Sequence, residues 1–532
     1  MEPARRSPRR LTLAAIVVAA LAVVAVGTAV VACTGDDTDT AAPGADEATI
    51  APTEPEAPVD PYERYRTAGW VDEENARPGS TDWPIPDDRV MWDKVQGYAD
   101  TTSIDVGGTF TLRVSTAAPT WRLSAYRIGY YAGTGGRLIW RSPDLPGVLQ
   151  PGPAVVPETN TASAPWEPSL TVTADETWPP GQYLLRLESS DGGATFVPLV
   201  IRDDASRSDL LLQSAVTTWQ AYNGWGGASL YQGDEGRAQV VSFDRPYTGN
   251  GSGEFLGREF EFNGLVERLG LDVSYWTDID LHERGALALN HRAVVIPGHD
   301  EYYTVEMRDA LERARDAGVN LAFFGANNIY RRIRLEPSPL GPTRLEVNHR
   351  SAATDPLNGI DPARVTTSFR EPPAADPESA LIGNYYECNP VEADWVVADA
   401  SAWMFEGSGF VDGERVPGMV GNEYDRVTPG VPTPDNIQIL AHSPVDCRGL
   451  QSHADSTWYS AASGAGVFSA GTFGWSPLMN ASCPPGPPAT GECKLVKVTE
   501  NILEALAAGP AGAAHPSTWN GDRFGLSRPS PP

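Results

Sequence analysis

Buried strands that alternate with amphipathic helices restrict the fold of this chain more than any other feature of its sequence. The predicted strands are 209–215, 271–276, 292–298 and 319–325, and the predicted helices are 258–269 and the stretch between Thr304 and Gly318. Strands joined through helices pair in parallel, because the crossover returns the chain to the same end of the sheet. We therefore predict a parallel-sheet α/β domain over residues 204–515. Later strands are expected at 437–443 and 465–475, with a closing helix at 496–507.

The preceding region has a different pattern. Between residues 100 and 203, short runs rich in β-branched and aromatic residues are separated by Gly, Pro and Asp. Such runs are typical of an antiparallel sandwich. We predict a β-sandwich domain with a lead-in segment over residues 61–203. The Pro- and Ser-rich end of the chain, 516–532, is predicted to be a flexible tail.

The N-terminus predicts export. Four arginines precede an uncharged apolar run from Leu11 to Cys33, which is long enough to span a bilayer. Residues 1–33 are therefore either an uncleaved membrane anchor, a lipoprotein signal with lipid on Cys33, or a cleaved secretion signal. All three alternatives place most of the chain outside the cytoplasm. Residues 34–60 are rich in Asp, Glu, Ala, Thr and Pro, and we predict a disordered linker there.

Charge and cysteine content add two further expectations. Acidic residues outnumber basic residues 69 to 40, giving a net charge of −29. This balance argues against nucleic acid as a partner, because phosphate binding needs clustered Lys and Arg. After Cys33, four cysteines remain, and an even number in an exported chain favours two disulfides. Cys483 and Cys493 bracket a Pro- and Gly-rich loop, which leaves Cys388 to pair with Cys447; buried free thiols are the alternative.

Polar side chains follow two predicted neighbouring strands where ligands of parallel sheets bind. His299, Asp300 and Glu301 follow strand 292–298, and Asn327 follows strand 319–325. The sequence contains no GxSxG elbow, no HExxH and no Walker A motif. These absences favour either a metal held by oxygen ligands or a function limited to binding.

Several longer motifs resemble a known family. The segments are TTWQAYNGWGGASLY, VSFDRPY, IPGHDEYYT and FFGANNIYRRIR. They are similar to the large (beta) subunit of N,N-dimethylformamidase, and the similarity covers roughly residues 100–510. This resemblance implies an Ig-like β domain followed by a Rossmann-like domain similar to class I glutamine amidotransferases.

The resemblance also implies a site and a reaction. Family members hydrolyse an amide with a mononuclear iron, expected as Fe(III), that is bound by two tyrosines and one glutamate. The matching positions are Glu301, Tyr222 and, by spacing alone, Tyr183. His299 and Asn327 match residues that assist catalysis. On this hypothesis, His299 moves a proton and Asn327 donates a hydrogen bond to the oxyanion.

Other interpretations stay open at this point. Tyr183 alternates with Leu185 and Leu187, a pattern that equally places it in the core of the β domain. Glu423 is either a pocket residue or part of a solvated turn. For the whole protein, the expected function is metal-dependent hydrolysis of a small-molecule or cell-envelope amide. The alternatives are a non-catalytic cell-envelope or glycan-binding protein and a carboxylate-based glycosidase.

Overall fold

The computed structural model describes residues 60–91, 93–480 and 482–528. The predicted anchor 1–33 and all but the last residue of the predicted linker 34–60 lie outside the described residues. None of the described helices combines the length and the apolar character that a bilayer span needs. The described residues belong to one compact unit, and the boundary between domains 61–203 and 204–515 stays a prediction.

The chain is a mixed α/β protein with several sheets, and its first part is built of β structure. One sheet contains the strands Val95–Ala99, Thr109–Thr116 and Leu170–Thr173, and the other contains Ser103–Asp105, Ala194–Arg202, Gly181–Ser189, Thr120–Ile128, Gly136–Arg141 and Leu145–Pro146. The pairing is antiparallel except where Ser103–Asp105 lies parallel to Ala194–Arg202. Apolar side chains from both sheets share one buried core.

A seven-stranded sheet forms the centre of the second part. Its strands, in spatial order, are Val273–Thr277, Leu210–Ser214, Ala293–Ile296, Asn320–Phe323, Gly466–Ser469, Leu450–Ser460 and Gln438–Cys447. The first five are parallel and the last two are antiparallel. The strands expected from the sequence are therefore present. However, Gln438–Cys447 pairs antiparallel with its neighbour at one edge of the sheet, whereas the alternation of strands and helices predicted parallel pairing.

The described helices bury apolar side chains, and several of them share apolar clusters with the central sheet. They are Trp70–Asn75, Val216–Tyr222, Gly253–Arg258, Phe260–Arg268, Asp278–Arg284, Val305–Asp316, Ser379–Ile382, Gly491–Ala508 and Ala511–Ala514. The side chain of Thr304 accepts a hydrogen bond from the Met307 amide, so Thr304 caps Val305–Asp316 as predicted. The closing helix starts five residues earlier than the predicted 496, at Gly491, because Thr490 caps it through the Cys493 amide.

Short sheets and a long hairpin surround the carboxyl ends of the parallel strands. One short sheet contains Tyr302–Tyr303, Arg331–Arg332 and Thr367–Ser368, and another contains Val240–Ser242, Gly341–Val347 and Arg334–Ser338. The hairpin consists of Tyr385–Val396 and Arg415–Arg426, and a small pair joins the exposed strand Ala154–Val156 to Thr161–Ser163. Disulfides join Cys388 to Cys447 and Cys483 to Cys493, which is the expected pairing.

A fully buried ion pair connects the β sheets to the central sheet. Arg127, on Thr120–Ile128, contacts Glu267 through two hydrogen bonds of 2.6 and 3.0 Å, and both side chains are 0% exposed. Glu267 also accepts bonds from Asn75 and Tyr275. A charge removed from water needs this degree of compensation, because its desolvation costs several kcal/mol.

Removal of one partner of this pair should therefore destabilise the whole fold. We expect Glu267→Ala to lower the free energy of unfolding by about 3–5 kcal/mol, since it leaves the Arg127 charge buried and uncompensated. The double variant Arg127→Met/Glu267→Leu should be more stable than the single variant. Chemical denaturation measures both. Asp394→Ala, which breaks the exposed pair with Arg415, is the control, and an equal loss in this control would contradict the expectation.

Candidate functional site

Parallel strand pairing places the predicted site residues at one edge of the central sheet. Ala293–Ile296 lies next to Asn320–Phe323, with Ile296 opposite Phe323. The segments that follow them therefore leave the sheet side by side, and His299 Nδ1 lies 3.1 Å from the Ala326 carbonyl oxygen. Gly325 allows this approach, because a Cβ atom there would lie 2.3 Å from the Gly298 carbonyl oxygen.

The carboxylate of Glu301 is the centre of the site. Its side chain is 2% exposed, and its Oε2 atom receives three polar neighbours: Tyr231 Oη at 2.5 Å, Tyr222 Oη at 3.4 Å and His299 Nε2 at 3.5 Å. Its Oε1 atom accepts from Arg331 Nε at 3.2 Å. Burial acts to raise the pKa of Glu301, but these neighbours outweigh it and hold the pKa below its ordinary value. Glu301 is therefore a buried anion.

The orientation of His299 is fixed by its second nitrogen. The Ala326 carbonyl accepts hydrogen bonds only, so Nδ1 carries a proton and Nε2 faces Glu301 and Tyr222. Burial lowers the pKa of His299, but the carboxylates of Glu301 and Glu423 raise it further than burial lowers it. A histidine held in this way can accept a proton at Nε2 and release it again.

Two stacked tyrosines form one side of the site. Tyr222 ends the helix Val216–Tyr222, Tyr231 follows in the next loop, and their rings lie 4.3 Å apart. Burial and the charge of Glu301 raise the pKa of both phenols. In the structure as it stands, both hydroxyls are therefore neutral, and each donates toward Glu301.

A second carboxyl group lies beyond His299. Glu423, on Arg415–Arg426, is 4% exposed and accepts from Asn327 Nδ2 at 2.8 Å and from Asn389 Nδ2 at 2.7 Å. Burial raises its pKa. Asn327 has a left-handed backbone (φ 54°), its amide N donates to Asp425 at 2.8 Å, and its Oδ1 atom is buried without a partner. This strained, tightly held asparagine is typical of a functional position.

The structure does not bring Tyr183 to the site, which corrects its expected position. Tyr183 is 0% exposed in the core that the two β sheets share, and its ring stacks on Trp178. Its hydroxyl donates to the Pro179 carbonyl at 2.7 Å. The alternation with Leu185 and Leu187 correctly predicted a core position for Tyr183, because all three side chains point into the same core.

Tyr231 and Glu423 are the site residues that sequence reasoning missed or left open. Tyr231 lies nine positions after Tyr222 in the same glycine-rich motif, and that proximity is the only signal for it. Glu423 was considered either a pocket residue or part of a solvated turn. Its burial rules out the solvated turn.

The donor set at Glu301 is suited to a hard metal ion. The described residues contain no group of three or more His, Cys, Asp and Glu side chains with metal-binding geometry. Phenolate oxygens are outside that definition, and here two phenols lie within 3.4 Å of one carboxylate oxygen. Such oxygen donors favour a hard cation. Tyr222, Tyr231 and Glu301 therefore fit a mononuclear site, with Tyr231 in the place expected for Tyr183.

Comparison with known families places the chain in one of them. The family model described as N,N-dimethylformamidase beta subunit-like, C-terminal, matches residues 122–487, which is more than half of the chain. The chain belongs to this family. The matched range contains all the residues of the site just described. No curated protein matches the chain.

The position of Asn327 depends on Asp425, and this carboxyl group makes stability depend on pH. Burial raises the pKa of Asp425 to about 8, whereas an unfolded Asp ionises near pH 4. Between these values the folded state binds the extra proton, so stability decreases as the pH rises through the window. Asp425→Asn removes this titration. As the pH rises, the free energy of unfolding of this variant should therefore increase relative to that of the wild type, by up to about 1.4 kcal/mol per pH unit.

Chemical denaturation at about pH 5 and about pH 7.5 tests this expectation. Asp191→Asn is the control, because Asp191 is exposed and its pKa is lowered, so its titration is complete below this window. Stability curves of Asp425→Asn and wild type that stay parallel across the window would show that Asp425 is already ionised at about pH 5.

Proposed function

We propose that this protein is an extracytoplasmic, metal-dependent hydrolase of an amide or a related C–N bond. One observation carries the proposal: two phenols and an imidazole converge on a single buried carboxylate oxygen of Glu301. The family described as N,N-dimethylformamidase beta subunit-like supports amide hydrolysis as the reaction class. These side chains also lie at the carboxyl ends of parallel strands, which is where α/β enzymes place their active sites.

Tyr222, Tyr231 and Glu301 are the residues that would hold the ion, which we propose to be Fe(III). Three anionic oxygen donors suit a ferric ion and leave positions for water and substrate. When bound, such an ion polarises the amide carbonyl and makes water acidic enough to react near neutral pH. Binding requires both phenols to lose their protons, because each is neutral in the geometry described above.

His299 is the proton carrier in this proposal. Its Nδ1–H is held by the Ala326 carbonyl, so only Nε2 exchanges a proton at the site. Nε2 would take a proton from the attacking water and deliver it to the leaving nitrogen. The Phe473 ring, 4.3 Å from the imidazole centroid, limits the rotation of the ring and its access to bulk water.

Asn327 and Glu423 would act on the other side of the scissile bond. Asn327 Nδ2 has two N–H groups, and Glu423 accepts only one, so the second can donate to the developing oxyanion. Burial raises the pKa of Glu423, and the nearby His299 acts to lower it. Glu423 would therefore hold Asn327 in position for this contact.

The compartment and domain types are part of the same proposal. Two disulfides support an oxidising environment outside the cytoplasm, with attachment through an anchor in residues 1–33 or a lipid on Cys33. The two sheets that share one core support an Ig-like sandwich. The five parallel strands support a Rossmann-like domain of the amidotransferase type. The substrate would then be an amide that reaches or belongs to the cell envelope.

Iron loading of tyrosine variants tests the ligand set. We expect the wild type to bind about one iron per chain and to absorb visible light, because ferric phenolate has a charge-transfer band. Tyr231→Phe should lower the iron content and shift the band. Tyr183→Phe is the matched control and should leave both unchanged, since its hydroxyl donates to Pro179. Loss of the band in Tyr183→Phe instead would return the ligand to the residue expected from spacing.

Hydrolysis of simple amides by the iron-loaded protein tests the reaction. His299→Gln should keep the iron and lower kcat by about 10²–10⁴-fold, the usual contribution of a positioned proton carrier. Amine release and iron content are measured on the same samples. A wild type that holds iron but releases amine from none of the amides would favour the alternative of a non-catalytic envelope protein.

A further inference from the structure

Three arginines form a wall beside the tyrosines of the site. Arg331 lies opposite Tyr302 in the pairing of Tyr302–Tyr303 with Arg331–Arg332. Arg350 follows the strand Gly341–Val347, and its guanidinium lies 4.3 Å from the ring centroid of Tyr231. Arg237, in the loop that also carries Tyr231, donates to the His349 carbonyl at 3.1 Å. The three side chains therefore belong to separate segments that meet at one place.

Few acidic side chains in the described part of the chain form ion pairs with these guanidiniums. Arg331 contacts Glu301, whereas Arg237 and Arg350 form no salt bridge with any described residue. Burial lowers the pKa of Arg237, and the charges of Arg350 and Arg331 lower it further. Like charges brought together in a partly buried place repel each other, so the arrangement has a cost unless an anion offsets it.

Hydrogen-bond donors at this wall lack acceptors. Arg350 Nε and Nη2 are inaccessible to solvent and have no partner, and the same is true of the Tyr302 hydroxyl. Tyr302 is 0% exposed. Burial raises the pKa of its phenol group, and the positive charges of Arg350 and Arg331 act to lower that pKa. A buried donor without an acceptor costs about 1–3 kcal/mol. The groups that are missing are acceptors, which an anionic ligand supplies.

The backbone at Arg350 supports a functional reason for this placement. Arg350 has a left-handed backbone (φ 63°), which a long side chain rarely adopts, and its amide N donates to Asn348 Oδ1 at 2.7 Å. Strain of this kind persists where the surrounding structure holds a residue in place, and it is concentrated at ligand sites.

We propose that Arg350, Arg331 and Tyr302 form a subsite for a carboxylate group, and that the substrate is an amide bearing such a group. This inference rests on the proposed function and names its substrate class. Arginine suits this role, because its planar guanidinium can bind both oxygens of a carboxylate.

Position indicates that the anion belongs to the substrate. Arg350 stacks on Tyr231, and Tyr231 Oη lies 2.5 Å from Glu301 Oε2, so one side chain separates the subsite from the reaction centre. A substrate carboxylate held by Arg350 would therefore lie one side chain away from the reaction centre. The buried carboxyl of Glu346 does not take this role, because burial raises its pKa and the cation acting on it is Arg245.

Calorimetric titration of the full chain with succinamate and with succinamide tests the subsite. Both probes carry an amide, but only succinamate carries a carboxylate. We expect succinamate to bind at least tenfold more tightly than succinamide at one ionic strength. Arg350→Met should remove this preference, and Arg350→Lys should retain only part of it. Arg207→Met is the matched control, because Arg207 is exposed and its loss changes the net charge equally.

Each outcome decides a separate point. Equal binding of the two probes, or a preference that survives Arg350→Met, overturns the subsite. Acetate binding as tight as succinamate binding overturns the link to the substrate, because it shows a site for free anions. Amine release from succinamate is measured in parallel with the iron-loaded protein. A preference for succinamate without amine release, in a protein that hydrolyses no amide, contradicts the proposed hydrolysis and leaves the carboxylate site standing.

Discussion

The burial of the Glu301 carboxylate is the constraint on which the site depends. A carboxylate removed from water is unstable unless charges and hydrogen-bond donors surround it. Here the donors are Arg331, Tyr231, Tyr222 and His299. Because these donors come from three separate stretches of the chain, the site exists only when all three are in place. The same convergence would provide the ligand set that we propose for a metal ion.

Part of this convergence follows from local pattern and part does not. The positions of His299, Glu301 and Asn327 near one another could be predicted, because two neighbouring parallel strands end at the same edge. That rule needs only the order of the strands and short polar segments after them. Arg331 was not predicted, because the two-residue strand that places it beside Tyr302 has no pattern in the sequence.

The second tyrosine could not be predicted in this way. Spacing alone favoured Tyr183, but a side chain that alternates with leucines in a strand points into the core of its own sheets. Tyr231 reaches Glu301 from an irregular loop, and no periodicity specifies where such a loop lies. Glu423 was equally hard to place, because it comes from the hairpin of Tyr385–Val396 and Arg415–Arg426, whose irregular register has no clear signal in the sequence. The fold was therefore more predictable than the site.

The proposed carboxylate subsite would allow an acidic protein to select an anion. With a net charge of −29, the molecule repels anions at long range, but physiological salt screens this repulsion beyond about 8 Å. Selection therefore depends on contacts made inside the site, where Arg350 and Tyr302 offer buried donors. Burial protects these contacts from screening by salt. They would therefore stabilise the bound complex more than they would speed the association of the ligand. An enzyme built in this way gains specificity from the pocket and solubility from the surface.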